Sequence, residues 1–125
     1  MTTQGKILVI DDEESILQIL QRFLTDMGFE VVAANTWEKG LESFFQSDFK
    51  LIILDIFMPG RDGFELAEEM RLTRPDQKIL IITGLDAGDV YRHLRAHDAD
   101  FSDILYKPFS FEKIKSVISA VLSPS

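Results

Sequence analysis

Cysteine is absent from this 125-residue chain. That excludes disulfides, thiolate nucleophiles and cysteine-held zinc, and leaves oxygen-ligand chemistry. No apolar run approaches the ~20 residues a membrane-spanning helix needs. The opening Met1-Thr2-Thr3-Gln4-Gly5 has no apolar segment of the kind that marks a secretory leader, so a soluble, cytoplasmic protein with no membrane partner is expected. Basic residues are in short supply: 13 Lys and Arg face 21 Asp and Glu, a formal charge of −8. Nucleic-acid affinity is carried largely by basic patches, so no direct nucleic-acid partner is expected. The one basic concentration, Arg92, His93, Arg95 and His97, sits among acidic residues and reads as a solvated helix face. Sequence repeats are missing too, which excludes a solenoid.

What is present is ordinary globular material. A hydrophobic content of 46% with 27% charged residues is too apolar for a disordered chain. The length fits a single domain over 1–125 with a core over about 6–122, flanked by short flexible ends at Met1 to Gln4 and Ser123 to Ser125.

Five short apolar runs are bounded by turn signals: Lys6 to Ile10, Glu30 to Ala34, Leu51 to Leu54, Lys78 to Ile82 and the weaker Ile104 to Tyr106. A helical pattern follows each. Ile16, Leu17, Ile19, Leu20, Phe23, Leu24 and Met27 form the first, with Gly28 as its stop. Trp37, Leu41, Phe44 and Phe45 mark the second, with Thr36 as N-cap. Phe64, Leu66, Ala67, Met70 and Leu72 mark a third that ends before Pro75. Val90, Tyr91 and Leu94 predict a shorter fourth, and Ile114, Val117, Ile118 and Val121 a fifth capped by Ser110. Strand then helix, five times over, predicts an α/β protein with a doubly wound parallel sheet. Near-continuous apolar strands fit burial on both faces.

Carboxylates gather where such sheets do their chemistry, at the carboxyl ends of the strands. Asp11 and Asp12 follow the first run, and Asp55 follows the third and opens the turn Ile56-Phe57-Met58-Pro59-Gly60-Arg61-Asp62-Gly63. If the two strands are neighbours, the three acids meet at one rim. Like charges ~4 Å apart repel by roughly 4 kcal/mol per pair at an effective dielectric near 20, so the cluster calls for a cation. Thr83 and Lys107 end the fourth and fifth runs at the same rim. Singly, each of these residues reads as a cap, a turn or a surface charge; jointly, they make a site.

The set Asp11-Asp12, Asp55 through Gly63, Thr83-Gly84 and Lys107-Pro108-Phe109 resembles the receiver domain of two-component response regulators, over essentially the whole chain. The resemblance implies a flavodoxin-like five-stranded sheet of order 2-1-3-4-5. Asp55 would be the nucleophile that takes a phosphoryl group as an acyl phosphate. Magnesium suits the all-oxygen cage. By the same resemblance Asp12 binds the metal directly, Asp11 through water, and the Phe57 backbone carbonyl adds an oxygen. Lys107 would pair with one phosphoryl oxygen and Thr83 hydrogen-bond another. A cis Lys107-Pro108 peptide is also implied, aiming Lys107 into the pocket.

Partners follow from the same likeness. A sensor histidine kinase or a histidine phosphotransfer protein would supply the phosphoryl group, docking on the first turn of helix one at Ser15 and Ile16 and on the loops around Asp55. An effector would read the face of helix four, strand five and helix five, and a phosphorylation-dependent dimer is a further expectation. Ile104 stands where the family carries a switching aromatic and has no hydroxyl, so output is expected to run through a shift of Leu85 to Ala96, where Gly84 and Gly88 supply flexibility. Tyr106 is expected on the same face as Ile104, packed near the sheet edge.

Particular residues argue against two other chemistries. Haloacid-dehalogenase-like phosphatases place a second carboxylate two positions after the nucleophile, where this chain has Phe57, so a switch with slow autodephosphorylation is expected rather than a turnover hydrolase. A flavodoxin-like cofactor binder needs a phosphate-cradling loop after strand one, where this chain has Asp-Asp-Glu-Glu. A receiver-like interaction module that is never phosphorylated is a third reading. The chain's limits fit both a stand-alone relay and a portion of a longer regulator or hybrid kinase.

Overall fold

The structure is a computed structural model that describes residues 4–97 and 104–123. Five strands form one parallel sheet: β1 (Lys6–Ile10), β2 (Glu30–Ala34), β3 (Leu51–Asp55), β4 (Ile79–Thr83) and β5 (Ile104–Tyr106), in the order β2-β1-β3-β4-β5. The expected order is observed. Five helices lie between and after them: α1 (Glu14–Asp26), α2 (Trp37–Gln46), α3 (Gly63–Thr73), α4 (Ala87–His97) and α5 (Phe111–Leu122).

The strands are apolar on both faces because both are covered. Leu8, Ile10, Ile52, Leu54, Ile79 and Ile81 point to one side and pack with Phe44 of α2, Phe64, Leu66 and Met70 of α3, and Val90 of α4. The alternate residues Ile7, Val9, Leu51, Ile53, Leu80 and Ile82 pack with Leu17, Leu20 and Leu24 of α1 and Ile114 and Ile118 of α5. Burying each such side chain contributes roughly 1.5–3 kcal/mol. The sheet is therefore the shared wall of two cores, and its strand ends cannot shift without disturbing both.

Local signals act as expected. Thr36 Oγ1 accepts from Lys39 N at 3.1 Å and Ser110 Oγ from Lys113 N at 3.0 Å, capping α2 and α5. Gly28 takes φ +94°, the left-handed conformation that ends α1. The ladders run one residue further than the apolar runs indicate: Asp55 pairs with Ile82 and Thr83 with Tyr106, so both polar residues are strand residues. The turn after Asp55 contains a two-residue antiparallel ribbon, Phe57–Met58 against Arg61–Asp62, closed through Gly60 at φ +89°. Asp62 then caps α3, its Oδ1 accepting from Phe64 N at 2.7 Å. Helix α4 is as long as α3, not the shorter helix expected from Val90, Tyr91 and Leu94, because its first turn begins at Ala87 and is set by Asp86, which accepts from Asp89 N at 2.9 Å. Of the basic concentration, Arg92 pairs with Asp89. The side chains of His93, Arg95 and His97 lie outside the described residues, as do Met1 to Thr3 and Pro124 to Ser125 at the expected flexible ends.

Candidate functional site: an acidic pocket at the carboxyl rim

The strand order reverses at β1, which is flanked by β2 on one side and β3 on the other. Chain connections leave in opposite directions there and open a crevice at the carboxyl ends. Register Ile10↔Leu54 places the residues following Ile10 beside Asp55. The acids meet as the sequence indicates: Asp11, Asp12 and Asp55 each offer a carboxylate oxygen within 4.8 Å of the others.

Asp11 is fully buried and Asp55 nearly so, whereas Asp12 is exposed. Asp11 Oδ1 accepts from Glu13 N at 2.9 Å, and Asp55 Oδ1 accepts from Phe57 N at 2.9 Å, so the backbone of each following loop fixes one oxygen of each carboxylate. The second oxygens face Lys107. Its Nζ lies 3.0 Å from Asp55 Oδ2, 3.0 Å from Asp11 Oδ2 and 2.8 Å from Glu13 Oε1. The contacts to Asp55 and Glu13 have hydrogen-bond geometry. Asp11 Oδ2 has the ammonium as a charge partner but no donor aligned with it. Three carboxylates thus share one ammonium, with Asp12 a fourth acid beside them.

The electrostatics follow. Burial pushes the Asp11 carboxyl up to about 6, and the neighbouring Asp55 charge adds to it, against the pull of the Glu13 N–H and Lys107. Burial alone would lower Lys107, but its hydrogen bonds to Glu13 and Asp55 and the adjacent Asp11 carboxylate outweigh it and hold the ammonium above its usual value. The excess of negative charge, the misaligned buried oxygen on Asp11 and the exposed Asp12 together make an all-oxygen donor set, which is what a hard divalent cation takes. The acids fit magnesium.

Thr83 is fully buried at the end of β4. Its hydroxyl oxygen accepts from Leu85 N at 3.0 Å, which leaves the hydroxyl proton free to be donated. Its carbonyl accepts from Lys107 N at 2.7 Å, tying the root of the lysine to β4. The Lys107-Pro108 peptide is cis. Phe57 shares the Asp55 loop, but the residue is 54% exposed. Ile104 packs on the α3 and α4 side of the sheet, while Tyr106 is partly exposed at the edge strand. The turn beyond Phe57 is braced from α2, where Trp37 lies under Gly60 and carries the Arg61 guanidinium 5.2 Å from its ring centroid. Arg61 also pairs with Glu69 of α3 at 2.7 Å.

Glu13 is the functional neighbour that the sequence did not announce. Nothing in Asp-Asp-Glu-Glu distinguishes the third acid from the fourth.

The sequence pattern of the response regulator receiver domain matches residues 7–119. The chain belongs to that family. Among curated proteins, the receiver domain is similar to "Probable transcriptional regulator ycf27" of Guillardia theta, 37% identical over 98% of this chain and 47% of that protein. The chain spans about half the length of the curated relatives it matches. Among solved structures it is similar to the response regulator protein TrrA of Thermotoga maritima, 34% identical with a TM-score of 0.83, over 95% of this chain and 100% of that one. It is also similar to the chemotaxis protein CheY4 of Vibrio cholerae, 30% identical with a TM-score of 0.84, over 94% of this chain and 98% of that one. This is a receiver domain of a two-component response regulator, with the α/β flavodoxin-like architecture of its relatives and an acidic pocket at the expected rim. No helix among the described residues is long and apolar enough to cross a membrane.

Proposed function

We propose that Asp55 is the phosphoacceptor of this receiver domain and that residues 1–125 act as one domain in the cytoplasm. The observation that carries the reading is the convergence of Asp55, Asp11 and Lys107 in a buried pocket, with Nζ 3.0 Å from an oxygen of each acid. A carboxylate oxygen of Asp55 attacks the phosphorus of a phosphohistidine on a sensor kinase or phosphotransfer protein. The P–N bond breaks with its electron pair going to the imidazole, and a P–O bond to Asp55 forms. Little covalent chemistry is asked of the protein, so positioning and charge neutralisation carry the step.

Asp11, Asp12, Asp55 and the Phe57 carbonyl would hold Mg2+, which when bound supplies charge neutralisation between acceptor and phosphoryl group. The Thermotoga maritima relative was solved in complex with Mg(2+)-BeF, which is consistent with such a site. Lys107 pairs with one phosphoryl oxygen, and the Thr83 hydroxyl donates to another. The exposed Phe57 offers no base to activate water, so the acyl phosphate persists as a signal and the domain turns over slowly. The first turn of α1, with Ser15 and Ile16, and the Asp55 loop receive the donor. The α4, β5 and α5 face, with movement of Leu85 to Ala96, passes the signal to an effector or a second copy; the side chains of 93–96 in that segment lie outside the described residues.

Intact mass after incubation with phosphoramidate tests the acceptor. A gain of one phosphate is expected only with magnesium, and Asp55→Asn should lower uptake by ~10³-fold or more, since removing a nucleophile leaves only what binding supplies. No gain from phosphoramidate or from a panel of phosphorylated kinases, in a chain that still binds magnesium, would replace this reading with an unphosphorylated interaction module.

A further inference from the structure

Glu13 occupies the N-cap position of α1 with extended backbone angles (φ −83°, ψ 109°), yet its side chain makes no capping hydrogen bond. A residue there ordinarily turns a side-chain oxygen onto a first-turn N–H, and serine, threonine, asparagine and aspartate are suited to it. Glu13 instead reaches across to Lys107, its Oε1 accepting from Nζ at 2.8 Å. The helix end forgoes a cap so that this carboxylate can meet the lysine.

An ammonium has three donors. Glu13 and Asp55 take two of them in hydrogen-bond geometry, at 2.8 and 3.0 Å, and Asp11 Oδ2 crowds the third side at 3.0 Å as a charge contact. Lys107 therefore cannot swing onto an oxygen newly delivered onto Asp55 without loosening one of these three contacts. The three are not equal: the side chains of Asp11 and Asp55 are 0% and 3% exposed, that of Glu13 54%. Asp11 and Asp55 belong to the donor set that would hold a cation, which takes over the lysine's share of their charge, whereas Glu13 lies outside that set and stays on Lys107 until another oxygen displaces it, water then taking the lysine's place.

We propose that Glu13 is an exchangeable latch on Lys107: it holds the ammonium over the empty acceptor and is the partner surrendered when a phosphoryl oxygen arrives. The inference rests on the phosphoacceptor reading above and adds a positioning residue to it. A ligand that must displace Glu13 binds more weakly by the strength of the Glu13–Lys107 pair, so the latch sets how readily the phosphorylated state is reached. Loss of the latch then has an unusual sign. A residue that merely shapes the site weakens binding when removed; removal of a competitor strengthens it.

The test is titration of the full chain with beryllofluoride, a tetrahedral anion that stands in for the phosphoryl group, at saturating magnesium, read by calorimetry. Glu13→Gln should bind about three- to tenfold more tightly than the native chain, the worth of a charge-assisted pair at a half-exposed position. Glu13→Ser, which removes the carboxylate while supplying a proper N-cap, should tighten binding equally, with a melting temperature no lower than native. Glu14→Gln, which removes the adjacent exposed charge, should stay within about twofold of native if the effect runs through Lys107 and not through bulk repulsion. Unchanged or weaker binding in both Glu13 variants overturns the latch, as does equal tightening by Glu14→Gln. Native binding that matches Asp55→Asn in its absence would instead remove the phosphoacceptor reading, and the latch with it.

Discussion

Lysine meets carboxylate at both ends of the central sheet. At the amino rim Lys6 lies 3.3 Å from Glu30, with side chains 35% and 56% exposed. There Lys50 Nζ also donates to the Gln4 carbonyl at 3.1 Å, and Lys78 Nζ to the Val121 carbonyl at 2.8 Å. At the carboxyl rim Lys107 is only 10% exposed and faces two buried acids. The pairing distances are alike. Solvent is what differs: at the amino rim water screens each charge, so the pairs are interchangeable surface contacts. At the carboxyl rim each charge depends on its neighbours, so adding or removing one reorganises the rest. Reactivity follows burial of the set, not the presence of ion pairs.

The largest expected departure between the rims comes from the backbone beneath the pocket. A Cβ on Gly63 would lie 2.4 Å from Ile56 Cα and 2.9 Å from the Asp55 carbonyl oxygen, atoms that cannot step aside. Gly63→Ala should cost about 3 kcal/mol in urea unfolding and displace the acceptor loop. By contrast, a Cβ on Gly40 meets only side-chain atoms, Ile10 Cδ1 at 2.6 Å and Cγ1 at 3.0 Å, which have more room to adjust than backbone, so Gly40→Ala should cost less. Equal losses would show that the acceptor loop is not rigidly held.

Lys107→Met comes next. It leaves Asp11 and Asp55 facing each other without compensation and should lower stability by about 2 kcal/mol in the absence of divalent cation. Magnesium should restore most of that loss, because the cation replaces the missing charge. Urea midpoints with and without magnesium decide it.

A pH effect of order 1 kcal/mol separates the rims as well. The Asp11 carboxyl is held up to about 6, above the ~3.9 of an unfolded chain. The native state therefore keeps a proton that the unfolded state has lost. The contribution is fully present below about pH 4 and is lost as pH rises through about 6. Without divalent cation, native stability should fall relative to Asp11→Asn across that interval. A rise would reverse the assignment of burial as the dominant cause.

The smallest effect belongs to the amino rim. Lys6→Met should change stability by no more than about 0.5 kcal/mol, with no response to magnesium. A loss comparable to that of Lys107→Met would erase the distinction.

Much of this was legible along the chain because it depends on neighbours in sequence. Apolar runs located the strands to within a residue, since a strand covered on both faces must be apolar throughout. Thr36, Ser110 and Gly28 acted where their local geometry suits them. The ribbon at Phe57–Met58 and Arg61–Asp62 was not legible, because two residues are too few to show a period. Asp55 and Thr83 read as residues after their strands, since polarity ends an apolar run while the ladder continues one residue further. The start of α4 was missed because its first turn is polar, set by Asp86 and not by apolar spacing.

By itself the sequence determined that Asp11, Asp12, Asp55, Thr83 and Lys107 stand at the carboxyl ends of strands, because strand direction and length fix where each run ends. Only the tertiary structure decided which of them are buried, which oxygen each carboxylate commits to its own loop, and that Glu13 joins Lys107 across 94 positions. Those outcomes depend on register between strands and on desolvation. Both arise only when distant segments pack, and neither is written in the spacing of residues along the chain.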